Sequence, residues 1–198
     1  MNKEKEKAQF SNMLETKKTI LKKYQTGEGI HLYKLINNNR ERLKNWFPKT
    51  VSSITDVIKA EEFILERIKG MQENKNFSFG IWEKISNTLI GHLFLHDIDW
   101  TIAKVELGFY ITKEKEGKGL MKEALSIVIK FCFETLELKK ILLRIAPENE
   151  RSTILSENLG FTKEGIIRND FITIDGILKD LIYYGMTLKD YESQYLMK

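Results

Sequence analysis

Cysteine and proline are scarce in this chain of 198 residues, and an apolar run long enough to span a bilayer is missing. The single cysteine, Cys132, cannot close an internal disulfide. It sits in an apolar helical run, where a buried core thiol is expected rather than a nucleophile. That usage fits a reducing compartment. No stretch reaches the ~20 apolar residues of a membrane helix. The opening MNKEKEKAQFSNMLETKK lacks the apolar centre of a signal peptide, so a cytoplasmic location is expected. Positive charge is not massed either. The 32 Lys and Arg against 28 Asp and Glu leave a net charge of +4, with lysines and glutamates interleaved, and nothing in that pattern points to nucleic acid.

There are two prolines, Pro48 and Pro147, and no low-complexity linker or internal repeat. One domain over residues 19–190 is expected, between a charged, partly helical lead-in (1–18) and a short tail (191–198). Hydrophobic residues make up 42% and charged residues 30%, enough to bury one core without staples.

The hydrophobic period changes along the chain. Residues 19–25 read as a first strand. Ile30, Tyr33, Ile36 and Leu43 keep a helical spacing that Pro48 is expected to stop. A further helix, capped by Ser53 or Thr55, carries Val57, Ile58, Phe63, Ile64, Leu65 and Ile68 on its apolar side and breaks between Gly70 and Asn76. FSFGIW (77–82) and LIGHLFL (89–95) then read as strands turning at Ser86-Asn87. KVELGFYI (104–111) alternates, with Val105, Leu107, Phe109 and Ile111 on one face and Glu106, Gly108 and Tyr110 on the other. A long helix over about 120–136 has only a narrow polar stripe of Lys122, Ser126, Lys130 and Glu134, so it is expected to be mostly covered. KKILLRIA (139–146) reads as a strand. A short helix opened by Asn149 or Ser152 and ended by Gly160 follows, then two strands around the hairpin dipeptide Asp175-Gly176. The order predicts a mixed α/β fold, a largely antiparallel twisted sheet flanked by helices with one strand–helix–strand unit.

That unit contains KEKEGKGLMKEAL (113–125), which places two glycines at the mouth of the long helix. A helix start leaves backbone N–H groups without partners and carries a partial positive charge. Glycine lets a bulky anion approach, so the strand, loop and helix form a socket suited to phosphate. It is not a P-loop, because no Ser or Thr follows a Gly-Lys pair as GxxxxGK[ST] requires. It is not the dinucleotide fingerprint, because position 122 is lysine. A plain strand-to-helix turn remains the competing reading.

Together, 113–125, KVELGFYI and NERSTILSENLGF (149–161) resemble the GNAT superfamily of acetyl-CoA-dependent N-acyltransferases. Its loop reads [QR]-x-x-G-x-[GA]. Here Lys115 stands for the first residue, with one residue fewer before the glycine. NNNRERLKNWFP (37–48), residues 90–111 and RNDFITIDGILKD (168–180) are similar to the branch that acetylates ribosomal-protein serine or alanine N-termini. The resemblance spans about residues 20–190. It implies acetyl-CoA as cosubstrate; no metal is expected, from the spacing of the histidines. Glu116, Gly117, Lys118, Gly119, Leu120 and Met121 would hold its diphosphate, and Leu107, Phe109 and Ile111 its acyl arm. It also hints at a homodimer.

The same resemblance implies roles for Glu106, Asn149 and Ser152. Glu106 falls where several members keep a general base, against a salt-bridged strand carboxylate. Asn149 would bond the pantetheine arm, against a simple N-cap. The tyrosine that many members place seven residues after that asparagine is absent, since Ser156 stands there. The ribosomal branch instead keeps a serine three residues on, which is Ser152 here, a candidate proton donor to the leaving thiolate or merely a capping residue. Tyr110 and Asp170 are expected at the acceptor, with Gly108 permitting close approach and Asp180 also within reach of a cationic substrate. Asp175 is assigned to its turn.

His92 and His96 are four apart on a strand, where that spacing does not align two metal ligands. Trp46, Trp82 and Trp100 read as core or pocket walls. Freeing an amine of its proton at pH 7 costs roughly 1–1.4 kcal/mol for an α-amine and about 4.6 for lysine. A site without a strong base therefore suits a protein N-terminus. A small amine such as a polyamine or aminoglycoside, with its groove built by 27–75 and 165–185, and a CoA-binding sensor without turnover are the alternatives.

Overall fold

The computed structural model describes residues 13–197. In chain order the elements are β1 (Met13–Glu15), β2 (Thr19–Lys23), α1 (Gly29–Leu43), α2 (Pro48–Ser53), α3 (Val57–Gln72), β3 (Phe77–Glu83), β4 (Thr88–Asp99) and β5 (Lys104–Ile111). Then come α4 (Leu120–Lys130), β6 (Lys140–Ile145), α5 (Glu150–Asn158), β7 (Thr162–Ile172), β8 (Leu178–Thr187) and α6 (Leu188–Tyr191). The eight strands form one sheet in the order β1-β2-β3-β4-β5-β6-β8-β7. Every neighbouring pair is antiparallel except β5 and β6, which are joined through α4. The mixed α/β architecture expected from the period changes is the one observed.

The sheet is covered on both faces, so its central strands are buried on both sides. Val105, Leu107 and Ile111 of β5 share a core with Leu120, Ala124, Leu125 and Val128 of α4. Tyr110, pointing the other way, joins Leu32, Ile36, Phe63 and Ile64 of α1 and α3. Each fully buried Leu or Ile contributes about 1.5–3 kcal/mol, so these two layers hold β5 firmly in place.

Several boundaries differ from expectation for local reasons. Pro48 does not stop α1, which ends at Leu43. It opens α2, where its fixed φ suits the first turn. Asp56, not Ser53 or Thr55, caps α3, its carboxylate accepting from Lys59 N at 2.8 Å. Gly70 lies inside α3, and the turn is made by Asn74 at φ 55°. Val57, Ile58 and Leu65 are exposed, since α3 buries Ala60, Phe63 and Ile64 against α1 and the sheet. Met13–Glu15 add a strand where a partly helical lead-in was expected, and residues 1–12 of that lead-in lie outside the described residues. The expected tail begins too early at 191. Tyr191 is buried on Phe133, and its hydroxyl donates to Glu134 at 2.7 Å. Cys132 is buried in the core, and burial pushes its thiol up, away from reactivity. Among the described residues no helix is long and apolar enough to cross a membrane.

Candidate active site

Strands β5 and β6 pair over only three positions, Lys104 with Lys140, Val105 with Ile141 and Glu106 with Leu142. Beyond Glu106 they part, although β5 runs on to Ile111 and β6 to Ile145. A sheet that forks leaves the backbone on the facing edges of both arms without a strand partner, and such groups need other partners. The fork opens a cleft of about 740 Å³. Leu107, Gly108 and Phe109 line one arm, Leu143 to Ala146 the other, and Asn149 and Ser152, at the start of α5, also line it.

At the base of the fork, Glu106 Oε1 accepts from Arg144 Nε at 2.8 Å, and His96 Nε2 stands 3.5 Å from the same oxygen. Arg144 also faces Asp170 Oδ2 at 3.5 Å, which accepts from the Tyr183 hydroxyl at 2.8 Å. Burial works against the Arg144 charge, but the hydrogen bond and charge of Glu106 outweigh it and hold the guanidinium protonated. Burial, aided by Asp170, pushes the Tyr183 phenol up. The structure thus brings Glu106 and Asp170 together through Arg144. That arginine is the one charged residue within the apolar run of β6, a signal the sequence did contain. His96, Asp97 and Glu106 also converge, their ligand atoms within 4.8 Å of one another, where a break in the β4–β5 register after His96 sets Asp97 at φ 50° with its side chain exposed. Arg144 already holds the Glu106 oxygen of that group.

The glycine loop lies at the end of the β5 arm. Gly117 and Gly119 sit at φ 71° and 76°, a region that disfavours side chains, and the space where a Cβ would stand is open at both. Glu116 N donates to Lys113 O at 3.2 Å, so its amide is engaged. Among the described residues, the next amide after it that donates to a protein oxygen is that of Glu123, to Gly119 O at 3.1 Å. The amides between them fan out over Gly117, Lys118, Gly119, Leu120 and Met121, while the Leu120 and Met121 side chains are buried beneath. The Glu116 carboxylate is gripped by Arg42 Nη1 at 2.8 Å and by Arg151. Arg42, on α1, also donates to Ile111 O and to Asn39 Oδ1, and Asn39 Oδ1 in turn accepts from Lys113 N at 3.1 Å. This latch between α1 and the loop was not foreseen, since nothing in local spacing distinguishes Arg42 from the arginines and lysines around it.

Other expected positions fall elsewhere. Tyr110 is 4% exposed and does not line the cleft, because α1–α3 cover its face of β5. Burial pushes its phenol up. Gly108 does not admit a ligand through its missing side chain. It makes room for Phe94, whose Cζ would lie 2.3 Å from a Cβ there. Ile111 is buried at the loop end of β5, outside the cleft lining. Asp180 accepts from Asn169 N at 3.0 Å and braces the irregular stretch of β7. Trp100 is exposed, its Nε1 donating to Asn74 O. Asn149 caps α5, accepting from Ser152 N at 3.3 Å, and at the same time lines the cleft with Ser152. Ser156 is buried, its hydroxyl donating to Ser152 O at 2.7 Å. His92, beside Tyr24 Oη at 2.7 Å, is pushed down to about 3 by burial, with the Arg67 charge adding to it.

The family model described as the acetyltransferase (GNAT) domain matches residues 19–162. A Bacillus subtilis (strain 168) protein, YdaF, provisionally named a ribosomal N-acetyltransferase, is 32% identical over 165 residues, covering 82% of this chain and 87% of its own. The [ribosomal protein uS5]-alanine N-acetyltransferase of Escherichia coli (strain K12) is 31% identical over 121 residues, 61% of this chain and 62% of its own. The spermidine N(1)-acetyltransferase of Vibrio cholerae (serotype O1, strain ATCC 39315 / El Tor Inaba N16961) is 29% identical over 146 residues, 74% and 80%. In structure, the ribosomal-protein-S5-alanine acetyltransferase of Vibrio fischeri superposes with a TM-score of 0.83 over 90% of this chain and 98% of that one, at 22% identity. Forked sheet, glycine loop and matches together define an acyl-CoA-dependent acyltransferase. More narrowly, the chain belongs to the GNAT family of N-acetyltransferases, and its acetyl donor is acetyl-CoA.

Proposed function

We propose that this enzyme acetylates the N-terminal α-amine of a protein, a ribosomal protein in the first instance, by direct attack of the amine on the thioester. The observation that carries the reading is Glu106, a carboxylate at the base of a fork whose walls also hold Asn149 and Ser152. The amides from Gly117 to Met121 take the diphosphate of acetyl-CoA. The unpaired edge of β5 from Leu107 to Phe109 offers backbone partners to the pantetheine arm and an N–H to the carbonyl oxygen as it gains charge. Asn149 bonds the same arm. Glu106 takes the proton of the amine, directly or through water, and the Ser152 hydroxyl donates to the departing sulfur.

The relatives named for ribosomal N-acetylation support this acceptor, as does the low cost of deprotonating an α-amine. A polyamine is the second reading, favoured by the spermidine-acetylating relative. Against it, the carboxylates Glu106 and Asp170 are both engaged by Arg144, where a polycation needs them open. Thiol release from acetyl-CoA with Ser- and Ala-initiated peptides, beside spermidine, separates the two. Turnover of the peptides at least tenfold faster in kcat/KM is expected, and turnover of spermidine alone overturns the reading. Tight CoA binding without turnover of any amine would make the protein a sensor. Mass spectrometry of N-termini in cells with and without the enzyme then names the acceptor.

A further inference from the structure

The charged side chains around the cleft sort into partnered and unpartnered. Glu106 and Asp170 share Arg144, and Asp97 is bound to His96. Arg67 also lines the cleft, from α3, and is half-buried. Its Cζ lies 4.5 Å from the centre of the Phe63 ring. Among the described residues no carboxylate lies within ion-pair distance of it and no oxygen accepts from it. Its charge reaches His92 and Tyr110. Neither is a counterion: burial keeps His92 neutral, and the Tyr110 hydroxyl is buried with no hydrogen-bond partner among the described residues.

Stacking on the Phe63 ring occupies one face of the guanidinium and leaves its N–H donors available to an anion in the cleft. Its planar fork fits a carboxylate through two parallel hydrogen bonds. The same charge repels an acceptor that is wholly cationic. We infer that the amine acetylated here carries a carboxylate close to its amino group, and that Arg67 receives it. The inference rests on the acetyl-transfer reading above and narrows its acceptor. An acidic residue at the second or third position of a protein N-terminus supplies that chemistry, and so does a free amino acid.

The test is thiol release with pairs that differ in one carboxylate, the peptides amidated at the C-terminus: Ser-Asp-Ala against Ser-Asn-Ala, Ser-Ala-Asp against Ser-Ala-Asn, and free alanine against alaninamide. The acid is expected to exceed its amide at least tenfold in kcat/KM, with the ratio falling to about one in Arg67→Met and to an intermediate value in Arg67→Lys. Each ratio compares two acceptors on one preparation, so partial unfolding of a variant cancels. A preference in the peptide pairs assigns the carboxylate to a protein N-terminus, and one confined to the free amino acids assigns it to a small amine. Equal rates on acid and amide overturn the inference while leaving acetyl transfer intact. If no amine is turned over, the acetyl-transfer reading itself fails. The site is then judged by titrating N-acetyl-Ser-Asp-Ala and N-acetyl-Ser-Asn-Ala, both amidated at the C-terminus, into the CoA-loaded protein. Tighter binding of the acid, lost in Arg67→Met, sustains the carboxylate site, and equal or absent binding removes it.

Discussion

Arg144 Nε on β6 stands 2.8 Å from Glu106 Oε1 on β5, at the last position where the two strands pair. The ion pair bridges the base of the fork, and both the Arg144 and His96 contacts fall on one carboxylate oxygen. Glu106 is therefore oriented by its partners while facing the cleft.

Replacing Glu106 with Gln keeps its shape and removes its capacity to take a proton. kcat should fall by roughly a hundredfold or more, the usual scale for a positioned acid or base, with the KM for acetyl-CoA within about twofold. Steady-state kinetics checks this, and an unchanged kcat would reduce Glu106 to a structural partner of Arg144.

Gly117→Glu puts a side chain at φ 71° and a negative charge where the loop amides converge. Acetyl-CoA binding should be lost in calorimetry. Because the space above Gly117 is open, the fold should tolerate the change with a cost of only about 1 kcal/mol from the backbone. Retained affinity would remove the diphosphate from this loop.

Arg42→Met severs the latch from α1 to Ile111 O, Asn39 Oδ1 and Glu116. Ile111 O loses this donor, while Glu116 keeps Arg151 and Asn39 Oδ1 keeps Lys113 N; hydrogen bonds to a charged group contribute roughly 1.5–3 kcal/mol each where they are well buried. Arg42 is only partly buried, so a loss of about 2 kcal/mol in chemical denaturation is expected in total, with a several-fold rise in the KM for acetyl-CoA as the loop loosens. An unaltered KM would confine Arg42 to stability.

His92 links the fold to pH. Its folded pKa is about 3 against an ordinary 6.5, so between those values the unfolded chain binds the extra proton. The stability that neutral His92 contributes is fully present above about pH 6.5 and is lost as pH falls toward 3. The slope is at most about 1.4 kcal/mol per pH unit, and His92→Gln should flatten it. Denaturation midpoints of both proteins at pH 7.5, 6 and 5 decide this, and parallel pH profiles would count against a buried neutral imidazole.

Much of this was legible in linear order. The switch from a period of four to a period of two, the hairpin at Asp175-Gly176 and the glycines at 117 and 119 are local signals, and each became the element expected of it. The site was legible only in part. Asn149, Ser152, Leu107 and Phe109 do reach one cleft, but Tyr110 and Asp180 do not. A strand's alternation tells which residues share a face and is silent on what covers it. For β5 the helices α1–α3 buried the Tyr110 end of the face that also carries Glu106, and left the Glu106 end in the cleft.

The sequence by itself determined most of the elements and the glycine loop proposed to receive the donor, because helix starts, positive φ and hydrophobic periods depend on residues a few positions apart. Tertiary structure alone decided that Glu106 meets an arginine 38 residues away, that Arg42 clasps the glycine loop, and that Arg67 stacks on Phe63 with no carboxylate beside it among the described residues. Charge pairing is a property of distance in space, and distance across a sheet is not written in separation along the chain.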